Sequence, residues 1–215
     1  IGKIKGATRE YIVKINPKFR HKLVLFCGPS GSGKTTIVHH LLKKFPMMRF
    51  STSATTREKR PNETDGVDYH FLTPDEFRTR IANDEFLEWE EVYKDRYYGT
   101  LKSEVDKILN EGFVALFDVD VVGGLSIRKQ YGRQLLDVFV MPPSVDELHK
   151  RLVARATESE ESLRKRLDKA ESEMHYAYQF NSIIVNTVLQ TAIEEAEMKV
   201  KTFLEDEIPD PDDFE

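Results

Sequence analysis

Leu23-Val-Leu-Phe-Cys-Gly28-Pro-Ser-Gly-Ser-Gly33-Lys34-Thr35-Thr36 is the stretch that decides the fold of this chain. An apolar run meets the pattern Gly-x-x-x-x-Gly-Lys-Thr, and apolar residues at helical spacing follow at once. A strand, a glycine-rich loop and a helix in this order are the setting of a phosphate-binding P-loop. The alternative is a glycine-rich turn whose lysine is merely solvated, and the flanking strand and helix favour the P-loop.

The spacing of the loop has a physical reason. Glycines allow successive backbone N–H groups to converge on phosphate oxygens, and the helix that follows directs the positive end of its dipole at them. We expect Lys34 to place its charge on the outer phosphates of a nucleoside triphosphate and the Thr35 hydroxyl to ligate Mg²⁺. The residues predicted to bind the triphosphate are Gly28, Pro29, Ser30, Gly31, Ser32, Gly33, Lys34, Thr35 and Thr36.

Composition limits the class of protein. The 215 residues suit one α/β domain with an inserted or appended subdomain, and 40% hydrophobic with 32% charged residues predicts a soluble globular protein. A net charge of −5 gives no general basic field for nucleic acid. No apolar run approaches a membrane span and no signal peptide is recognisable, so we expect a cytoplasmic protein without membrane insertion.

Two further features concern the setting of the chain. The lone cysteine, Cys27, is expected to be a packed small hydrophobe rather than a nucleophile, in a reducing compartment. The start at Ile1 rather than Met suggests a domain of a longer polypeptide with possible flanking domains. Residues 1–21 are predicted to be a basic lead-in, with an interaction arm as the alternative, and 205–215 an acidic, frayed tail.

Strand patterns alternate with helix patterns after the P-loop. This alternation predicts a parallel α/β sheet flanked by helices, with the ligand at the carboxyl ends of the strands. Residues 83–100 mix aromatic and acidic side chains without a clean period, which suggests a compact subdomain that presents polar groups from an aromatic floor. The aromatic and acidic segment from about 51 to 100 interrupts the alternation and is the candidate site for a second substrate. The predicted strands are 113–117, 136–140 and 182–185, and the predicted helices are 74–82, 102–111, 144–155, one opening at a capping box over 157–160, and 189–204.

Three clusters of side chains are candidates to face the P-loop. Arginine forks bind phosphate bidentately and tyrosine hydroxyls add neutral donors, so one cluster suits a monophosphate acceptor. A second cluster has the opposite polarity: the Glu88 carboxylate can accept from N1 and N2 of guanine, and Ser53 and Thr100 hydroxyls can donate to O6. The first cluster is Arg57, Arg60, Tyr69 and Tyr98, and the second is Ser53, Glu88, Thr100 and Asp120.

The third cluster is Arg151, Arg155 and Arg166, on charged helical stretches after Pro143. Mobile arginines that reach over the phosphates would stabilise the charge on a transferring phosphoryl group. A solvated helix face is the alternative. For Arg151, a solvated helix face explains the sequence as well as a role in binding phosphate does. For Arg155 and Arg166, the presence of the P-loop favours the role in binding phosphate.

The ordered motifs resemble the guanylate kinase family in order and in spacing. They are Ser53-x-x-Thr-Arg57-x-x-Arg60-Pro, Glu63-x-x-Gly66-x-Asp-Tyr69-x-Phe, Phe-Leu-Glu88-Trp and Tyr98-Gly-Thr100. The similarity runs from about Lys22 to Leu204. It implies a P-loop NTPase-type core (22–50, 101–141 and 170–204), a small GMP-binding region (51–100) and a helical lid (about 142–169).

By this resemblance, Ser53, Glu88, Thr100 and Asp120 recognise guanine. The GMP phosphate is held by Arg57, Arg60, Tyr69 and Tyr98, with Gly99 and Asp118 also on the GMP side. Asp118 takes the place of the acid that closes the magnesium and phosphate network, Arg155 and Arg166 match the lid arginines, and Arg151 and Asn186 are expected on the ATP side. Lys34, Arg57, Arg155, Arg166 and Asp118 are the expected catalytic group.

The resemblance implies Mg²⁺-dependent phosphoryl transfer from ATP to GMP or dGMP. Four departures from the family pattern put turnover and adenine selectivity in question: Val122 in place of Gln, Ala156 in place of Gly, Thr187 in place of Asp, and one residue inserted between Trp89 and Tyr98. One alternative is a guanylate-kinase-like scaffold domain that binds phosphopeptides, although such domains generally have degraded P-loops. Another is a kinase for a different nucleoside monophosphate or a sugar phosphate.

Overall fold

A computed structural model of the chain describes residues 21–155 and 160–206, except for the side chains of residues 155 and 160–162. The expected lead-in over 1–20, the capping box at 157–160 and most of the acidic tail therefore lie outside the described residues. The described strands are β1 (Leu23–Cys27), β2 (Met48–Phe50), β3 (Ala54–Thr55), β4 (His70–Phe71), β5 (Phe86–Tyr93), β6 (Arg96–Leu101), β7 (Val114–Asp118), β8 (Leu135–Met141) and β9 (Ser182–Val185).

Seven α-helices alternate with these strands in the described part of the chain. They are α1 (Lys34–Lys44), α2 (Pro74–Ala82), α3 (Lys102–Asn110), α4 (Val121–Tyr131), α5 (Val145–Arg155), α6 (Glu160–Met174) and α7 (Leu189–Glu205). The helix predicted over 74–82 is confirmed together with its capping box between Thr73 and Glu76, and the helix predicted over 102–111 ends beside Gly112, which adopts a φ of 80°.

The central sheet has five parallel strands in the order β2-β7-β1-β8-β9. All five residues of β1 are fully buried, as expected for the middle strand of a sheet covered by helices on both faces. One face packs against α1 and α7 and the other against α3 and α4. The predicted parallel α/β core is therefore confirmed.

A second sheet, in the order β4-β3-β6-β5, forms the subdomain that interrupts the alternation. The sequence of 83–100 lacks a clean period, yet β5 and β6 form an antiparallel hairpin across this region, and these two strands were not predicted. Register shifts at both ends of β5 break the two-residue alternation, and Phe86 and Leu87 are both buried, which hid the strand in the sequence.

Helix α4 was also not predicted. Its first turn contains Gly123 and Gly124, which are poor helix formers, so the segment lacks a clear helical signal. Asp120 provides the N-cap, with its carboxylate accepting from the Gly123 N–H at 2.8 Å.

A buried lysine joins the start of the core to its last helix. Lys22 is only 2% exposed, and its ammonium donates to the carbonyls of Phe203 at 2.8 Å and Leu204 at 3.0 Å, and also to that of Asp206. The last carbonyls of a helix have no partner within the helix, and a cation is favourable beside them because of the helix dipole. Lys22 therefore acts as the C-terminal cap of α7.

Replacing Lys22 with Met tests this cap. The change keeps the aliphatic stem but leaves buried carbonyls without a donor, so the free energy of unfolding should fall by about 1–3 kcal/mol. Urea unfolding measures it. Lys201→Met is the matched control, because Lys201 is exposed on the same helix and its ammonium lies 3.9 Å from the Glu205 carboxylate, at the surface. Equal effects of the two changes would contradict the capping role.

Candidate active site

The P-loop lies at the carboxyl edge of the central sheet, between β1 and α1. Phe26 of β1 is in register with Asp118 of β7, so the residues that follow the two strands emerge side by side. Gly33 has a left-handed φ of 90° and directly precedes α1. The predicted sequence of strand, loop and helix is thereby confirmed.

Lys34 and Thr35 both converge on one carboxylate. The Lys34 ammonium lies 2.6 Å from Asp118 Oδ1 and donates to the Val119 carbonyl at 3.2 Å, while the Thr35 hydroxyl donates to Asp118 Oδ2 at 3.2 Å. Burial by itself would lower the pKa of Lys34, but the charge of Asp118 outweighs it and the pKa is raised. The lysine therefore stays charged at the mouth of the loop.

Close packing requires glycine at two positions of the loop. A Cβ on Gly28 would lie 2.3 Å from the Val140 carbonyl oxygen, and one on Gly33 would lie 2.2 Å from Asn186 Nδ2. Both residues also have positive φ angles. The loop therefore fits closely against β8 and against the segment after β9.

Asn186, which directly follows β9, stabilises the P-loop through a hydrogen bond. Its side chain is buried and Nδ2 donates to the Ser32 carbonyl at 2.7 Å. Arg151 of α5 donates to the Asn186 carbonyl at 3.1 Å and to Glu147 at 3.0 Å. Both residues thus lie on the side predicted for ATP, and their contact with the nucleotide remains a prediction.

The P-loop faces the second sheet across a cleft of about 480 Å³. Residues from the loop, from β5 and β6, from the end of β7 and from α6 all line it. Of the predicted site residues, the cleft brings together Gly28, Ser30, Gly31, Lys34, Thr35, Ser53, Tyr69, Glu88, Tyr98, Gly99, Asp118, Asp120 and Arg166.

Glu88 forms the acidic centre of the cleft wall opposite the P-loop. It pairs with Thr100 across the hairpin, and the buried Thr100 hydroxyl donates to Glu88 Oε1 at 2.6 Å. Burial raises the pKa of Glu88 to about 7, with the nearby Asp120 charge adding to the effect and the Thr100 bond opposing it. Gly99 permits this packing, because a Cβ there would lie 2.7 Å from the Glu88 carbonyl oxygen.

The predicted phosphate cluster lies beside this wall. The Arg57 guanidinium makes two hydrogen bonds to Glu63, at 2.9 and 2.7 Å, and lies 5.3 Å from the centre of the Tyr69 ring. Tyr69 in turn meets the edge of Tyr98, with ring centres 6.1 Å apart. The Arg57 hydrogen bonds lower the pKa of Glu63 to about 2, so that carboxyl is ionised. Arg60 is exposed at the end of the same loop.

The helices in the region predicted to be a lid, α5 and α6, pack against each other, and α6 contributes to the lining of the cleft. Leu148 and Leu152 of α5 pack against Ala170 of α6, and the same two leucines lie 3.1 to 3.2 Å from the Cβ position of Gly31. Helix α6 runs through the expected boundary between lid and core near residue 169. The predicted lid residue Arg155 ends α5, and its side chain lies outside the described residues.

Six cleft residues were not predicted. Glu90 and Val92 follow Glu88 at a spacing of two along β5, and this alternation is the signal that would have found them. On α6, Lys169, Ala170 and Glu173 follow Arg166 at helical spacing and share its face. Val119, between the two aspartates, is the sixth.

The residues that depart from the family pattern are placed as follows. Val122 is 55% exposed in the first turn of α4, and Thr187 is exposed directly after the buried Asn186. Ala156 lies outside the described residues.

Cys27 is buried at the end of β1, and burial raises the pKa of its thiol, which agrees with a packing role.

Two features are absent from the described residues, a membrane-spanning helix and a cluster of metal-binding side chains. None of their helices combines the length and apolarity that crossing a bilayer requires. They also contain no group of three or more His, Cys, Asp or Glu side chains placed to hold a metal ion.

Fold and site together define a P-loop nucleotide-binding protein with a second pocket facing the loop. A profile of the guanylate kinase family matches residues 20–207. The chain is 51% identical to a guanylate kinase of Bacteroides fragilis, over 85% of this chain and 90% of that protein. It is 53% identical to a guanylate kinase of Bacteroides thetaiotaomicron, over 86% and 91%. The chain therefore belongs to the guanylate kinase family, and the resemblance seen in the motifs is confirmed.

The fold agrees with a solved structure. The crystal structure of guanylate kinase from Anaplasma phagocytophilum superimposes with a TM-score of 0.69, at 23% sequence identity, and covers 86% of this chain and 87% of that chain. The predicted fold class is confirmed by this similarity and by the parallel core.

Replacing Asn186 with Ala tests the fastening of the P-loop. Loss of the donor to the Ser32 carbonyl should weaken binding of the triphosphate about twofold to tenfold, since a typical hydrogen bond contributes about 0.5–1.5 kcal/mol. Competition assays measure binding of ATP and of magnesium tripolyphosphate, which has no adenine. Equal weakening of both is expected. Weakening of ATP alone would indicate contact with adenine instead, and Gln190→Ala, on the exposed side of α7, is the control.

Proposed function

We propose that this chain transfers the γ-phosphoryl group of ATP to GMP or dGMP, giving ADP and GDP or dGDP. The observation that carries this function is the pair of facing pockets in one cleft. One is made of backbone amides with Lys34, and the other presents the buried Glu88 carboxyl beside Thr100. Guanine, with adjacent N–H donors at N1 and N2, fits a carboxylate at that position, whereas adenine has an unprotonated N1.

On the donor side, the P-loop would hold the triphosphate through its amides and through Lys34. The Thr35 hydroxyl and the Asp118 carboxylate are oxygen ligands of the kind that Mg²⁺ accepts, and their 3.2 Å contact places them together. Few protein ligands are needed, because Mg²⁺ beside a nucleotide keeps waters and binds phosphate oxygens. Thr35 would hold the ion, which neutralises charge on the outer phosphates. Arg151 and Asn186 would support the ATP side.

On the acceptor side, the guanine edge would meet Glu88 and the hydroxyls of Ser53 and Thr100, with Asp120 nearby. The GMP phosphate would meet Arg57 and Arg60 and the tyrosine hydroxyls of Tyr69 and Tyr98. Arg57 is prepared for this role, because Glu63 and the Tyr69 ring hold its guanidinium extended.

Transfer requires no covalent enzyme intermediate. An oxygen of the GMP phosphate attacks the γ-phosphorus in line, and the bond from that phosphorus to the bridging oxygen of ADP breaks. Lys34 and the lid arginines Arg155 and Arg166 would stabilise the charge that spreads over the transferred group. Closure of the lid would exclude water, which would otherwise hydrolyse ATP.

The scaffold alternative is less well supported. A domain that only binds phosphopeptides has no use for an ordered P-loop, whereas here Lys34, Thr35 and Asp118 are joined by short contacts. We further propose a cytoplasmic location, supported by the lone buried Cys27, which suits a reducing compartment.

Steady-state assays with GMP, dGMP, AMP and UMP as acceptors test the proposed activity. Glu88→Ala should lower kcat/KM for GMP on the order of 100-fold, because two hydrogen bonds to a charged group are lost, and should leave the KM for ATP unchanged. Glu91→Ala, on the outer face of the same strand, is the matched control. Absence of GMP turnover in the unchanged protein, with phosphopeptide binding, would support the scaffold function instead.

The raised pKa of Glu88 predicts a pH dependence of GMP binding. The N–H groups of guanine need Glu88 as an ionised carboxylate. Because burial raises the pKa of Glu88 to about 7, this carboxyl is largely protonated below pH 7 before GMP binds. Binding should therefore release a proton, and affinity should fall by up to about tenfold per pH unit well below pH 7. Calorimetry in buffers of different ionisation enthalpy measures the release. Glu88→Gln removes this step and keeps the titration of the GMP phosphate, so identical pH profiles would refute the prediction.

A further inference from the structure

Lys169 is a cation of the cleft to which the proposed reaction has given no role. It lies on α6, three residues after Arg166, and both residues line the cleft. Residues three apart on a helix are neighbours on one face. Arg166 is expected to act on phosphate, so the next turn of the same face presents a second positive charge to the same space.

The acid that pairs with Lys169 lies on the same helix. The Lys169 ammonium lies 3.8 Å from Glu173 Oε1, and the side chains are 51% and 13% exposed, respectively. An ion pair of this length at a half-exposed lysine contributes little to stability, because solvent weakens it. A phosphate that enters the cleft can therefore replace Glu173 as the partner of this ammonium at low cost.

Helix stability does not explain the pair. Glu173 is the last residue but one of α6, and an acid near the C-terminus of a helix is unfavourable because of the helix dipole. The order of the pair is also the weaker one, because glutamate followed by lysine at i,i+4 is better than lysine followed by glutamate. The cleft that both side chains line explains their position better than the helix does.

The packing of α6 places Lys169 beside the P-loop. Ala170, the next residue, is buried and packs against Leu148 and Leu152 of α5. Those two leucines lie 3.1 and 3.2 Å from the Cβ position of Gly31 in the P-loop. Residues of β5 and β6 line the same cleft. This turn of α6 is therefore next to the space where the phosphates of two nucleotides would meet.

Acidic side chains outnumber basic ones among the described residues that line the cleft. There are five acids and three bases, so the lining repels phosphate unless a cation faces it. Each of the three cations therefore matters for binding. The acids are Glu88, Glu90, Asp118, Asp120 and Glu173, and the bases are Lys34, Arg166 and Lys169.

The acceptor phosphate is the group that most needs another cation. The donor phosphates have the backbone amides of the P-loop and Lys34. Of the cluster predicted for the acceptor phosphate, Tyr69 and Tyr98 line the cleft. The arginines of that cluster, Arg57 and Arg60, are not among the described lining residues. A cation from α6 would add to them from the opposite side.

We propose that Lys169 binds the phosphate group of the acceptor nucleotide, and that Glu173 holds its ammonium at the cleft before the nucleotide binds. The inference rests on the proposed GMP kinase activity and adds a phosphate-binding residue to that site. On binding, the ammonium exchanges the Glu173 carboxylate for phosphate oxygens, with charge-assisted N–H···O bonds. A lysine suits this exchange, because its ammonium is a compact charge with three donors on a flexible stem.

The matched pair Lys169→Met and Lys169→Arg tests this contact. Met keeps most of the aliphatic stem without the charge, whereas Arg keeps the charge. We expect Lys169→Met to raise the Kd for GMP about tenfold and Lys169→Arg to stay within about threefold of the unchanged protein. The Kd for guanosine, which has no phosphate, and the Kd for ATP should not change. Competition assays measure all three constants.

Lys199→Met is the control for loss of a lysine from an i,i+4 ion pair. Lys199 lies 3.4 Å from Glu195 on α7, outside the cleft, so this change should alter none of the three constants. Thermal unfolding of each variant identifies a loss of fold. Lys169→Gln also removes the charge and provides the same comparison if the methionine variant unfolds.

Three results would overturn the role of Lys169 while GMP turnover of the unchanged protein stands. They are an unchanged Kd for GMP in Lys169→Met, an equal loss in Lys169→Met and Lys169→Arg, and an equal weakening of guanosine or of ATP. Weakening of guanosine would place Lys169 at the base, and weakening of ATP would place it on the donor side. Absence of GMP turnover in the unchanged protein would instead overturn the proposed activity and, with it, this inference.

Discussion

The parallel register between β1 and β7 is the constraint on which the site depends. Phe26 is in register with Asp118, so the P-loop leaves one strand where the carboxylate leaves its neighbour. This geometry alone accounts for the 2.6 Å contact of Lys34 with Asp118 and for the 3.2 Å bond from Thr35. Neighbouring parallel strands end at the same edge of a sheet, which is why ligands bind there in open α/β folds. Two residues further on, Asp120 caps α4 and extends the acidic edge toward the second sheet.

The sequence predicted the donor half of the site better than the acceptor half, for a physical reason. A P-loop is continuous in the chain, so its glycines, lysine and threonine can be recognised together with the strand and the helix that flank them in the sequence. The acceptor wall is assembled from distant segments, and the shifts in register of β5 hid the alternation that places Glu88, Glu90 and Val92 on one face. Glu88 was predicted from its motif. Glu90 belongs to no motif, so its place in the cleft could be recognised only from the course of β5 in the structure.

Other features were beyond the sequence because they depend on tertiary contacts. Nothing local distinguishes Lys22 from the basic residues that precede it, yet it is buried against the end of α7, over 180 positions away. The amide of Asn186 was assigned to the ATP side, but its bond to the Ser32 carbonyl depends on how β9 and the P-loop are brought together. Helix α4 escaped because glycines in its first turn hide a helix that is stabilised by the Asp120 cap and by packing on β1 and β8.

Within the site, the cations predicted to bind phosphate are paired with acidic side chains of the protein itself. Lys34 contacts Asp118, Arg57 contacts Glu63, and Arg151 contacts Glu147. These contacts hold long side chains extended before the ligands arrive, which reduces the conformational entropy lost on binding. They also set a threshold for binding. An anion that binds one of these cations weakens its ion pair with the acidic partner, so the new interaction must be stronger than the one that is lost.

A doubly charged phosphate group meets that threshold better than a single carboxylate. The pairing of these cations with acids should therefore favour phosphate groups over singly charged carboxylates. In the proposed function, the guanine side works through a proton rather than an ion pair. Burial raises the pKa of Glu88 to about 7, so this carboxyl is divided between its charged and neutral states at neutral pH. A base that offers two N–H donors would favour the charged state, just as a phosphate would replace the acidic partners of the cations.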